Sequence, residues 1–311
     1  MYLQHFGFNE FPFTLTPNLH YFCELDAYRE ALDLLLVSLA NGEGFIKITG
    51  EVGTGKTLLC RKLLDNLGEE YLTAYISNPN LDYFNLQKAI AKELEIPFPE
   101  TIDQYGLLTI LNEHLIKFCH EKKHVVIIID EAHILSDQAL DGLRLLGNLE
   151  TESTKLIQIV LVGQPELDKR LNNTNMRQLK QRISFSYKLP TLSSSELDIY
   201  LYHRLAKAGY EKPHHTLFSK KGVRMILRAS HGVPRLVNIL CHKALLISYG
   251  HNKDTVNPAM VKMAIRDTES VEKTPRERTI NLAETIGFIC LLALLGVGSY
   301  FIGSQIALRF L

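Results

Sequence analysis

Along the first two thirds of the chain, short apolar runs are followed by longer segments at helical spacing. The short run at 124–129 is unbroken, whereas apolar and polar residues alternate at 44–49 and 183–189. The short runs predict β-strands over residues 44–49, 71–76, 124–129, 155–162 and 183–189. Helices are predicted over residues 26–39 and 137–149 and from residues 58, 82 and 103 onwards. Strands that alternate with helices predict an α/β fold, an αβα sandwich whose parallel sheet has helices on both faces.

After residue 190 the pattern is helical only, with helices predicted over 194–207, 219–229, 234–248 and 258–267. We therefore predict a core over residues 1–190, a small helical domain over 191–270 and a charged linker over 271–284. The aromatic, proline-containing segment 6–17 is predicted to be a loop that buries its rings.

The C-terminal segment is strongly apolar, and no charged residue occurs between Glu284 and Arg309. A helix over its roughly 24 positions would be about 36 Å long, which exceeds a hydrocarbon core of about 30 Å. We predict a single transmembrane helix over 285–308; a buried or amphipathic helix is the alternative. Basic residues lie mainly before this segment, so the positive-inside rule places the preceding domains in the cytoplasm.

Charge and cysteine content narrow the function classes. The chain has 34 Lys and Arg against 34 Asp and Glu, which gives a formal net charge of zero. This balance argues against an extended nucleic-acid surface and leaves only a local patch possible. The five cysteines are scattered without C-x-x-C spacing, so we expect reduced thiols.

Residues 50–57 form a complete G-x-x-x-x-G-K-[ST] loop between the first predicted strand and a helix. Glycines let backbone N–H groups approach an anion closely, and the helix start favours negative charge. Lys56 is expected to reach the β- and γ-phosphates, and the Thr57 hydroxyl to hold Mg²⁺. The alternative is a chance match in a surface turn. The expected nucleotide-binding residues are Gly50, Glu51, Val52, Gly53, Thr54, Gly55, Lys56, Thr57 and Leu58.

Two acidic residues, Asp130 and Glu131, follow the third predicted strand. The carboxyl end of a parallel strand lies at the ligand-binding edge of such a sheet. We expect Asp130 to position Mg²⁺ and Glu131 to polarise an attacking water, which together predict ATP hydrolysis. Two solvated carboxylates at a strand end are the alternative. His133 is interpreted as a residue of a polar network rather than a catalytic one.

These motifs resemble the AAA+ ATPases. The resemblance rests on the P-loop, the acidic pair, Gln164 after the fourth strand, residues 178–182 before the fifth, and Gly-Val-Pro-Arg at 232–235. More narrowly, the opening segment 6–17, Gly-Glu-Gly at 42–44 and Val-Gly-Gln-Pro-Glu-Leu at 162–167 are similar to the ExeA/GspA secretion ATPases. The resemblance covers residues 1 to about 270.

The resemblance implies further site residues. Gln164 occupies the sensor 1 position, where it would contact the γ-phosphate or the attacking water. Arg182 matches an arginine finger given to a neighbouring subunit, with Arg177 as the second choice, and a surface salt bridge is the alternative for both. Arg235 matches sensor 2, against the alternative of a surface charge at a helix start. A finger in trans implies a ring-like homo-oligomer.

ExeA-like proteins continue beyond the membrane into a peptidoglycan-binding domain, whereas this chain stops at Leu311. This shorter domain organisation is similar to that of the ATPases of MSHA-type pilus biogenesis. We therefore expect no cell-wall binding by this chain. The resemblance implies a bacterial inner-membrane ATPase, held in lipid by its C-terminal helix, that uses ATP and Mg²⁺ to assemble pilus or secretion proteins.

Nucleic acid is not an expected partner. Two alternatives remain open: a nucleic-acid-linked AAA+ ATPase of the transposition or replication-helper type, and a nucleotide-dependent scaffold with little turnover.

Overall fold

The computed structural model describes residues 2–151 and 154–269, which belong to one compact unit. The predicted linker 271–284 and the predicted transmembrane helix 285–308 lie outside the described residues. Across the part of the chain that is described, no helix combines the length and apolar character needed to cross a membrane.

The sheet consists of β1 (Phe45–Gly50), β2 (Tyr71–Ile76), β3 (His124–Ile129), β4 (Gln158–Gly163) and β5 (Ile183–Leu189). The strand order is β2-β3-β4-β1-β5, and every neighbouring pair is parallel. The predicted parallel α/β fold is therefore confirmed. The neighbouring strands β1, β4 and β3 are parallel, so the loops that follow them lie at the same edge of the sheet.

The helices of the described residues are α1 (Tyr2–Phe6), α2 (Asp26–Ala40), α3 (Lys56–Asn66), α4 (Tyr83–Glu93), α5 (Gln104–His120), α6 (Asp137–Leu146), α7 (Pro165–Leu171), α8 (Arg177–Arg182), α9 (Ser194–Lys207), α10 (His214–Leu217), α11 (Lys220–Ser230), α12 (Pro234–Gly250) and α13 (Pro258–Arg266). Side-chain caps fix several starts: Asp82, Asp103 and Ser136 each accept a hydrogen bond from the backbone three residues later.

Both faces of the central strands are buried, as expected for a parallel sheet. Along β3, Val125, Ile127 and Ile129 belong to a large apolar cluster with residues of α4, α5 and α6. The alternate residues Val126 and Ile128 face the opposite side of the sheet and are also fully buried.

Several boundaries differ from the sequence-based expectation. β4 begins at Gln158 rather than 155, because Lys155 instead forms an isolated antiparallel bridge with Glu150. α6 ends at Leu146 rather than 149, where Gly147 caps it. The short helices α1, α7, α8 and α10 were not predicted, since four to seven residues are too few to show a helical period.

After β5 the described chain carries α9 to α13 and one isolated bridge between Phe218 and Val256. The N-terminal helix α1 packs against this helical region, where the Tyr2 hydroxyl lies 2.9 Å from His242 Nδ1. The domain boundary at residues 190 and 191 stays a prediction.

Candidate nucleotide-binding site

The P-loop connects β1 to α3 through two glycines in the left-handed region. Gly53 has φ +81° and Gly55 has φ +91°, conformations that a residue with a side chain rarely adopts. Space is also limiting at Gly53, where an added Cβ would lie 2.7 Å from the Cβ of Arg235. The loop thus forms a cradle of backbone N–H groups at the start of an 11-residue helix.

Lys56 lies inside this cradle and is only 4% exposed. Its Nζ donates hydrogen bonds to the carbonyls of Gly50 (2.8 Å) and Glu51 (2.9 Å). Among the described residues no carboxylate lies within ion-pair distance of it. Burial lowers the pKa of Lys56, an effect that the charges of Glu131 and Asp130 oppose. A buried cation beside a backbone cradle fits a polyphosphate.

The other P-loop residues frame the cradle. Thr54 is fully buried, and its hydroxyl donates to the Glu51 carbonyl at 2.8 Å. Val52 lies at the rim with 58% of its surface exposed. A cleft adjoins the P-loop, and Gly53, Gly55 and Leu58 are among the residues that border it.

Asp130, which follows β3, is 2% exposed, and both of its carboxylate oxygens accept hydrogen bonds. Its Oδ2 accepts from the Thr57 hydroxyl at 2.6 Å and from the Tyr75 hydroxyl at 3.2 Å. Its Oδ1 accepts from the backbone N–H of Glu131 at 2.9 Å. Burial, with the Asp130 charge, raises the pKa of Tyr75 far above its ordinary value, so Tyr75 remains a donor. The two predicted metal ligands, Thr57 and Asp130, therefore lie side by side.

Glu131 has a left-handed backbone with φ +54°, and its carboxylate lies near the end of β4. There its Oε2 accepts a hydrogen bond from Gln164 Nε2 at 3.1 Å and lies 3.3 Å from His133 Nδ1. Glu131 and Gln164 thus form a hydrogen-bonded pair beside the P-loop. His133 Nδ1 is buried next to this pair without a hydrogen-bond partner among the described residues, and its place in a polar network stays a prediction.

The predicted arginines fall in two places. Arg235, at the start of α12, borders the cleft, and its backbone N–H donates to the Gly53 carbonyl at 3.2 Å. Arg177 and Arg182 lie at the two ends of α8, and neither is among the described residues that border the cleft.

One wall of the cleft lies outside the sequence motifs. It is formed by residues of the opening segment and α2, and by three residues of the helical region; the principal members are Thr14, Leu15, Pro17, Asn18, Tyr21, Phe22, Tyr28, Tyr200, Arg204 and Asn238. No motif marks these positions or Tyr75, because contacts distant in sequence create the wall.

A family model described as an AAA domain matches residues 39–171. Over 271 residues, 87% of this chain, the sequence is 38% identical to "General secretion pathway protein A" of Aeromonas hydrophila. The match covers 49% of that protein, so this chain spans about half the length of this relative.

Solved structures share the fold. Cdc6p from Pyrobaculum aerophilum matches with a TM-score of 0.65 at 22% identity, covering 82% of this chain and 70% of that one. Drosophila ORC bound to DNA matches with a TM-score of 0.59 at 19% identity, covering 85% of this chain and 65% of that one. At these identities the likeness concerns the fold alone.

Proposed function

We propose that this chain, which carries an AAA domain and is related to general secretion pathway protein A, binds ATP with Mg²⁺ and hydrolyses it. The proposal rests on the meeting of Lys56, the Thr57–Asp130 pair and the Gln164–Glu131 pair at one edge of the sheet. Phosphoryl transfer to water requires these groups: a cation for the phosphates, ligands for a metal ion and a carboxylate that orients water.

Thr57 and Asp130 would hold Mg²⁺, which when bound neutralises charge on the phosphates. Their oxygens already lie 2.6 Å apart, so both can face one ion. Two side chains suffice, because Mg²⁺ usually keeps several waters and takes phosphate oxygens as further ligands. Tyr75 donates a hydrogen bond to the same carboxylate oxygen.

Glu131 is the proposed general base. Its Oε2 accepts a hydrogen bond from Gln164 Nε2 at 3.1 Å. We propose that Gln164 releases Glu131 when it turns to the nucleotide, so that base and sensor act together. Arg235 would reach the phosphates from the start of α12, which already contacts the P-loop.

Arg182, or Arg177 in its place, would complete the site of a neighbouring subunit. Both lie on α8, away from the cleft of their own chain. An arginine supplied in trans stabilises charge that develops on the transferred phosphoryl group. The working form would then be a homo-oligomer, which we propose to be ring-like.

The cellular role that we propose is assembly of a secretion apparatus or an MSHA-like pilus by an ATPase anchored in the bacterial inner membrane, with the ATPase domain in the cytoplasm. The relation to general secretion pathway protein A and the apolar segment 285–308 support it. Fractionation of bacteria that express the full chain tests the anchor. Recovery with the membranes is expected, and complete recovery in the soluble fraction would contradict it.

Replacement of Glu131 by Gln tests hydrolysis. The amide keeps the shape but cannot accept a proton, so we expect turnover to fall by at least about a hundredfold while ATP stays bound. Glu113→Gln, an exposed position on α5, is the matched control. An unchanged turnover in Glu131→Gln would refute the role of Glu131, and a wild type without turnover would favour a nucleotide-dependent scaffold.

A nucleic-acid-linked ATPase is the second candidate, favoured by the fold shared with ORC. Binding of duplex DNA by the full chain, measured across salt concentrations, separates the two. Salt-dependent binding at physiological ionic strength would support this candidate, and no binding would support the assembly role.

A further inference from the structure

Residues 12–18, here called the strap, are held from two sides. From the helical region, Arg204 of α9 donates through Nε to the Pro12 carbonyl at 2.6 Å and through a terminal nitrogen to the Thr14 carbonyl at 3.1 Å. From the core, Arg61 of α3 donates to the Pro17 carbonyl at 2.6 Å. The strap therefore connects the helical region to the helix that begins in the P-loop.

Arg204 is buried more deeply than is usual for an arginine. It is only 5% exposed, and no carboxylate among the described residues lies within ion-pair distance. Its guanidinium carbon lies 4.2 Å from the centroid of the Tyr21 ring, a cation–π contact. A buried cation is costly unless its donors are satisfied, and here two strap carbonyls accept from it.

A second residue acts on the same carbonyl. Asn238 of α12 donates to the Thr14 carbonyl at 3.4 Å, and its own Oδ1 accepts from the Tyr200 hydroxyl at 2.9 Å. Two helices of the helical region thus converge on Thr14.

The strap is also part of the cleft, because Thr14, Leu15, Pro17 and Asn18 border it together with P-loop residues. We infer that Arg204 is a positioning residue for nucleoside recognition: it holds the strap carbonyls so that the strap contacts the base and ribose, while the P-loop holds the phosphates. This inference rests on the proposed ATP binding. It makes affinity for the nucleoside depend on the contacts of Arg204 with the strap, whereas affinity for the phosphate chain depends on the P-loop and Arg235 and not on Arg204.

The test is Arg204→Lys in the full chain, with calorimetric affinities for ADP and for inorganic tripolyphosphate. Lysine keeps the charge but lacks the planar fork that reaches both carbonyls. We expect ADP binding to weaken by about tenfold and tripolyphosphate binding to change by less than about twofold. Arg228→Lys, on the exposed side of α11, is the control, and Asn238→Ala should give a smaller loss with the same selectivity.

Equal weakening of both ligands in Arg204→Lys, or no change in either, would overturn the inference. If Arg204→Lys does not fold, Asn238→Ala decides: a selective loss of ADP supports the inference, and an unselective or absent loss refutes it. A wild type that fails to bind ADP would refute the proposed function and the inference together, whereas unselective variants of a wild type that binds ADP would refute the inference alone.

Discussion

Gly53→Ala tests how closely the helical region docks on the P-loop. The added Cβ would lie 2.7 Å from Arg235 Cβ and 3.2 Å from a methyl of Val233. These atoms belong to the start of α12 and the residue before it, so relief requires α12 to shift, which strains the 3.2 Å hydrogen bond from Arg235 N–H to the Gly53 carbonyl.

The expected loss in the free energy of unfolding of Gly53→Ala has two parts. A left-handed backbone costs a residue with a side chain about 1–2 kcal/mol, and overpacking adds about 1–3 kcal/mol. Gly42 isolates the first part, because its φ is +74° and an added Cβ would meet nothing within 4 Å. In urea unfolding without nucleotide, we expect Gly42→Ala to lose about 1–2 kcal/mol and Gly53→Ala about 2–5 kcal/mol. Equal losses in the two variants would refute close docking of α12.

Two further changes probe the phosphate and metal positions. In the folded protein, burial lowers the pKa of Lys56, so its charged form destabilises the fold below that pKa and the penalty fades as pH rises toward the ordinary value. Thermal unfolding without nucleotide should therefore show Lys56→Met more stable than wild type at pH 7, with a smaller difference at pH 10; a less stable variant at pH 7 would contradict this. In a separate measurement, ATP should bind to Lys56→Met at least about tenfold more weakly than to wild type. Tyr75→Phe removes one donor to Asp130 and should raise the Mg²⁺ concentration for half-maximal turnover by about threefold. Tyr71→Phe, on the same strand, is its control, and an equal effect of both changes would exclude a specific role for Tyr75.

The part of the site that the sequence predicts is the part that is local in sequence. Residues 50–57 carry their chemistry in consecutive positions, and the acidic pair Asp130 and Glu131 follows a recognisable strand. The order of strands then brings Thr57 to Asp130 across 73 residues. The apolar patterns predict every strand for the same reason, since each pattern lies within a few consecutive residues: an unbroken apolar run at 124–129 and an alternation at 183–189, for example.

The residues of the site that the sequence does not predict depend on tertiary contacts. Tyr75 reaches Asp130 because β2 and β3 are neighbours in register, Tyr75 lying opposite Ile128. Arg204 reaches Pro12 across 192 residues, and a single arginine on an amphipathic helix gives no sign of such a partner. The short helices α7 and α8 were missed because neither is long enough for its apolar residues to repeat.

Turnover of ATP per chain, measured for the full chain over a wide range of protein concentration, shows whether neighbouring chains share a hydrolytic site. Arg182→Ala is measured in parallel, with Arg228→Ala as the control. We expect turnover per chain to rise with concentration in the wild type and the control, and to be lost in Arg182→Ala, because each site would be completed by its neighbour. Turnover that is absent, or that is independent of both concentration and Arg182, would contradict the account of a shared hydrolytic site.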